Sequence, residues 1–310
     1  MNTAEKSNKR RPICPGCHLP ARTCICPSLP AEPLHSLLTK SRLIVLQHPH
    51  ESRRKNRSLP LVELCLFGKG RGKDGADSTG KSGDEKPEPA GESDAGDFVM
   101  KTIVGRRFGD SCDADVLRVL RDPRKVTVLV FPHEQALELD AGLKLAEERR
   151  RAREESTGEG GKINLIFIDA TWKLASEMNR KVSSLGEWPD ELIRVQMKPS
   201  AAGATSIPRG ASRGGNDTEA DGKGFKTRRF NIRAPPSPDH LSTAECLAWV
   251  TSLAEDEPRI YEGIMTTLDY QVDIWRSFSE GKGKKRDGGG NQSLKGGEFA
   301  SMSQKQRRIK

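Results

Sequence analysis

Four cysteines fall within thirteen residues, Cys14, Cys17, Cys24 and Cys26. Thiolates at that spacing can surround one tetrahedral zinc ion, and four protein ligands leave the ion no open position for catalysis. Pro15, Gly16 and Pro27 supply tight turns around them. The second half reads C-x-C rather than C-x-x-C, His18 or His35 is an alternative ligand, and four free thiols in a flexible arm are the plainer alternative. A second group is His48-Pro49-His50-Glu51, followed by Arg53, Arg54, Lys55 and Arg57 around Asn56. Cations packed this densely suit phosphate, although a solvated basic helix start reads the same way. The third is Asp169-Ala170-Thr171-Trp172. Asp169 is either a reactive carboxylate or a helix N-cap, and Trp172 either stacks on a ring or packs in the core. The fourth runs from Arg229 through Phe230, Ile232 and Arg233 to Leu241-Ser242-Thr243-Ala244-Glu245. Ser242 and Glu245 make a capping box, which leaves helix N–H groups free to hold an anion such as a carboxylate.

These groups need a scaffold, and short apolar runs supply it. Residues 42–47, 126–131, 163–168 and 192–197 each read as a strand. The middle two are apolar almost throughout, as in strands covered on both faces. Between them lie helical stripes: Leu137, Ala141 and Leu145; Leu174, Met178 and Val182; and Ile260, Ile264, Leu268, Val272 and Trp275. All three stripes read as core. Strands alternating with helices predict an α/β fold with a mostly parallel sheet flanked by helices. His48 follows the first strand and Asp169 the third, at the carboxyl ends where open α/β sheets collect their ligands.

The rest of the chain bounds the function. Of 310 residues 34% are hydrophobic, and the mean hydropathy of −0.66 is low for a wholly globular chain. Residues 69–97 and 201–224 have the composition of disordered inserts. The net charge is +9, and residues 281–310 hold nine Lys or Arg against Asp287 and Glu298, so that tail carries +7 of it. Such a tail attracts nucleic acid. The expected division is a flexible 1–10, a cysteine-rich zinc segment 11–35, a catalytic domain 36–279 and a basic tail 280–310. No apolar run reaches the length of a membrane span, and the first residues lack a secretory pattern. A cytoplasmic or nuclear protein with no membrane association and no obligate protein partner is expected.

Taken together and in order, the four groups resemble the DTW-domain family, named for an Asp-x-Thr-Trp motif. Its C-x-x-C…C-x-C cluster, its H-P-x-E…R…N segment, its aromatic-x-Ile-Arg motif and its L-S-T-x-E all find counterparts, over roughly residues 11–278. The resemblance implies an α/β fold related to SPOUT-type methyltransferases, in which the cofactor sits beside a C-terminal knotted region, with the knot itself left open for this chain. It also implies transfer of the 3-amino-3-carboxypropyl group of S-adenosylmethionine to a uridine of tRNA. On that implication Asp169, Thr171 and Trp172 are catalytic, with Asp169 the base or its orienter. Arg233, Leu241, Ser242, Thr243 and Glu245 bind the donor, and His48, Glu51, Arg54 and Asn56 hold RNA or donor. Lys55 and Arg57 stand where many relatives have threonine, and Phe230 where tyrosine is common, which bears on substrate choice. Two alternatives are an RNA methyltransferase using the same donor and a non-catalytic zinc-containing RNA-binding module.

Overall fold

A computed structural model describes residues 12–54, 57–69, 98–109, 113–158, 161–197 and 241–283. Asn56, Arg233, the flexible 1–10, nearly all of both inserts and the tail beyond residue 283 lie outside the described residues. So does the stretch 198–240.

Strands β1 (Ser41–Gln47), β2 (Met100–Val104), β3 (Thr127–Val130), β4 (Leu137–Glu138), β5 (Ile163–Asp169) and β6 (Ile193–Gln196) form one sheet in the order β2-β1-β5-β3-β6-β4. Every strand pairing of this sheet among the described residues is parallel. The expected α/β class and its four strands are therefore present. β1 is buried along its whole length, which explains its unbroken apolar run: a parallel strand under helices on both faces has no side to give to water. The two strands absent from the sequence reading are edge strands. β2 carries Lys101 and Thr102, and β4 has two residues.

Two cores enclose the sheet. Leu43, Val45, Leu165 and Phe167 face α2 (Leu59–Phe67), α4 (Leu139–Thr157), α6 (Thr243–Glu255) and α7 (Pro258–Gly283). Ile44, Leu46 and Ile166 face α3 (Ala114–Arg121) and α5 (Trp172–Ser184). Each such side chain stabilises the fold by about 1.5–3 kcal/mol when fully buried. α2 escaped notice because every residue but Glu63 is apolar, packed against α6 and α7, and so it shows no stripe.

One helical stripe is corrected. Leu137 lies in β4 and is exposed, and Ala141 is exposed as well; α4 starts at Leu139 and buries Leu139, Gly142 and Ala146. The register is set by close packing: a Cβ at position 142 would lie 2.1 Å from Val195 Cγ1. The stripes of α5 and α7 do face the cores, with Leu174 and Trp275 half-buried.

The connections diverge at the strand ends. β1 leads through α2 to β2 on one side, whereas β5 leads through α5 on the opposite face toward β6 on the other. The chain segments leaving β1 and β5 part to opposite faces, the topology at which open α/β sheets bind ligands beyond the carboxyl ends of their strands. α6 spans the sheet beside these ends. At its far end the Glu255 carboxylate accepts the backbone N–H groups of Thr39 (3.0 Å), Lys40 (2.9 Å) and Ser41 (2.8 Å) at the start of β1.

Candidate functional site

Asp169 is the last residue of β5, and β1 ends beside it with Gln47 as its register partner. In a strand alternate residues share a face, so Asp169 follows Leu165 and Phe167 toward the α6 side. There its Oδ1 accepts the Thr243 hydroxyl at 2.6 Å, and its Oδ2 accepts the Gln47 side-chain N–H at 2.7 Å. Its backbone carbonyl accepts the N–H of His48 at 2.9 Å. The residue is 9% exposed. The N-cap reading of Asp169 is thereby corrected: Thr171 is the N-cap of α5, and the carboxylate is turned to the start of another helix. A carboxylate offers about four lone-pair positions, so two remain beside the two bonds described.

His48 is buried and caps the short helix α1 (Pro49–Ser52): its Nδ1 accepts the N–H of His50 at 3.1 Å. Burial first, then the charges of His50 and Arg106, hold its pKa below the ordinary value. The ring is therefore neutral, and with Nδ1 accepting, its proton sits on Nε2. Buried Glu51 pairs with exposed Arg54 at 2.8 Å. Glu63, on α2, accepts the Thr102 hydroxyl at 3.0 Å. Burial pushes its pKa up and the charge of Asp169 adds to this, while Thr102 and Arg57 oppose it. Asp169, Glu51 and Glu63 are the acidic groups of this region, and Arg53, Arg54 and Arg106 are exposed.

The capping box of α6 is formed in both directions. Ser242 N donates to Glu245 at 2.7 Å, and Glu245 N donates to the Ser242 hydroxyl at 3.3 Å. Ser242, Thr243 and Glu245 therefore spend these side-chain groups on the fold and on Asp169, leaving the backbone N–H groups of Thr243 and Ala244 as the helix-start donors. Leu241 is half-buried just before them. Trp172 opens α5, half-buried, with its ring 6.3 Å from that of Phe131 after β3. Sequence reasoning missed Gln47, Glu63 and Phe131; only strand register and helix packing bring them here.

The cysteine cluster is a separate site. The four Sγ atoms lie within 4.8 Å of one another, with Cys14–Cys24, Cys14–Cys26 and Cys17–Cys24 at 3.4, 3.7 and 3.8 Å. Tetrahedral thiolates about 2.3 Å from a metal stand about 3.8 Å apart, so the group can hold one metal ion. Gly16 is required here, because a Cβ would meet Cys26 Sγ at 2.9 Å. Backbone N–H from Cys17, the Cys24 side chain and the Gly16 N–H draw the Cys14 thiol down to about 6. Burial pushes Cys26 up to about 12, an effect that a bound cation reverses. The histidine alternatives fall away: His18 is exposed outside the cluster, and His35 Nδ1 bonds the Leu66 carbonyl at 2.9 Å. Cys17 and Ile25 are buried in the core shared with α7, and Thr267 of α7 donates to the Ser28 carbonyl at 2.7 Å.

The family model of the DTW domain matches residues 11–276. The chain is similar to tRNA-uridine aminocarboxypropyltransferase 2 of Macaca fascicularis, 26% identical over 260 residues that make up 84% of this chain and 62% of that protein. The Mus musculus protein of the same name gives the same identity and coverage. That of Drosophila melanogaster is 25% identical over 271 residues, 85% of this chain and 76% of that one. The chain thus spans 62% of the first two relatives' length. No solved structure matches it. Among the described residues no helix is long and apolar enough to cross a membrane.

Proposed function

Because the chain belongs to the DTW-domain family, we propose that it transfers the 3-amino-3-carboxypropyl group of S-adenosylmethionine to N3 of a uridine in tRNA. The observation that carries this reading is the seating of Asp169. A carboxylate fixed by two neighbours, with lone pairs to spare, stands at the carboxyl ends of β1 and β5, where their connections diverge. The acidic groups of this region fit a donor whose sulfonium and ammonium are cationic, and the exposed arginines fit RNA phosphate.

When bound, the donor supplies an electrophilic carbon attached to sulfonium. Asp169 accepts or steers the uridine N3 proton as the N3–carbon bond forms. The carbon–sulfur bond breaks, its electron pair goes to sulfur, and methylthioadenosine leaves. His48 shapes the wall as a neutral ring, and Trp172 with Phe131 offers an aromatic surface. The N–H groups at the start of α6, together with Arg233, are the groups for the donor's carboxylate. Proximity and alignment of N3, carbon and sulfur supply the rest of the rate. The cysteine cluster holds one structural zinc ion that fastens the amino-terminal segment to α7.

The test is mass spectrometry of tRNA nucleosides after incubation of the full chain with unmodified tRNA and S-adenosylmethionine. A 3-amino-3-carboxypropylated uridine together with methylthioadenosine is expected. Methylated nucleoside with S-adenosylhomocysteine identifies an RNA methyltransferase instead. RNA binding with neither product identifies a non-catalytic module.

A further inference from the structure

Gln47 belongs to none of the motifs that mark this chain. It ends an apolar strand, is 2% exposed, and is set opposite Asp169 by the pairing of β1 with β5. A long polar side chain buried there needs a partner, since burying an unbonded amide is costly. Its partner is the Asp169 carboxylate at 2.7 Å. The backbone is stitched at the same level: Gly105 N–H donates to the Gln47 carbonyl at 3.0 Å and His48 N–H to the Asp169 carbonyl at 2.9 Å. Gln47 therefore cannot shift without moving the loop that carries His48.

We infer that Gln47 is a positioning residue for the transfer reaction, holding the Asp169 carboxylate between its own amide and the Thr243 hydroxyl in one orientation at the strand ends. This rests on the function proposed above. The two bonds approach different oxygens from different elements, β1 and α6, and so fix the plane of the carboxylate as well as its place. With one bond the group can swing about it; with two it is held, and its remaining lone pairs keep one direction. Orientation of this kind is what an aligned displacement needs. Thr243, which the motifs point toward the donor, acts by the same geometry on Asp169.

The test is a double-mutant cycle. Gln47→Met keeps length and volume but removes the donor, and Asp169→Asn removes the charge. Single-turnover aminocarboxypropyl transfer is measured for wild type, each single variant and the pair, with thermal melting and S-adenosylmethionine binding alongside. Gln47→Met is expected to slow transfer roughly tenfold, within the range of couplings between residues in contact, with donor binding little changed. In the Asp169→Asn background it should cost almost nothing more. Equal losses in both backgrounds, or no loss in either, overturn the inference. Crystal structures of wild type and Gln47→Met decide the matter without activity. A carboxylate turned from its Thr243 bond or spread over two conformers is the expected result, and one unmoved by the substitution overturns it. A wild-type protein that aminocarboxypropylates no tRNA refutes the function proposed above, and the crystal structures still answer for Gln47.

Discussion

The cysteine segment and the strand-end site gather their side chains in opposite ways. The first collects four ligands from thirteen consecutive residues, and tight turns suffice to aim them. The second draws Gln47, Glu63, Asp169 and Thr243 from β1, α2, β5 and α6, across nearly two hundred positions. A local cluster can be loosened while the sheet stays intact. The strand-end site exists only when the sheet and α6 are assembled, so its chemistry and the fold's integrity are inseparable. The difference predicts that damage to the two regions is read by different measurements.

The sharpest break is Asp169→Asn. An amide has nearly the same shape, and both the Gln47 carboxamide and the Thr243 hydroxyl can turn to present an acceptor, so folding should suffer by only about 1–2 kcal/mol. Single-turnover transfer should fall roughly 10²–10⁴-fold. Near-normal turnover would return Asp169 to a purely structural role.

Next in size is the cysteine segment. Elemental analysis should give about one equivalent of zinc, as in four-ligand structural sites. Cys17→Ser should lower zinc content and melting temperature together, because Cys17 is also buried against the core. Transfer per folded molecule should change far less than for Asp169→Asn. Metal-free protein with unaltered melting would erase the distinction between the two regions.

A smaller effect is expected at Glu63. A carboxyl whose folded pKa is raised binds its proton more tightly folded than unfolded, so it subtracts stability as pH climbs from the ordinary carboxylate range through the raised value. Glutamine cannot ionise and still accepts from Thr102. Glu63→Gln should therefore melt with wild type below about pH 4 and above it near neutrality. A gap that is independent of pH would show that Glu63 is not ionising under strain. The mildest effect belongs to the basic tail: removing residues 284–310 should weaken tRNA binding and flatten its salt dependence, with the modified position unchanged. A moved modification would give the tail a part in specificity.

How much was legible follows the same division. The buried strands announce themselves because both faces are apolar, and the cysteines because ligation needs close spacing. Asp169 and His48 are marked by motif and by their place after strands. Gln47 and Glu63 carry no local mark: one ends an apolar run, the other lies in an otherwise apolar helix, and only strand register and helix packing reveal what they touch. The stripe at Leu137, Ala141 and Leu145 misled because four-residue spacing was sound while the helix began two residues later, where Gly142 could meet Val195.

α6 joins a carboxylate at each end: it receives Asp169 at Thr243, and through Glu255 it grips the start of β1. Its thirteen residues measure about 20 Å, close to the 23 Å or so of the seven-residue β1 beneath it. Rod and strand are matched in length and anchored at opposite ends, so the helix works as a gauge bar for the sheet. The Glu255 bonds at one end and the Thr243 bond at the other thus tie a single helix to both ends of the sheet's central strands.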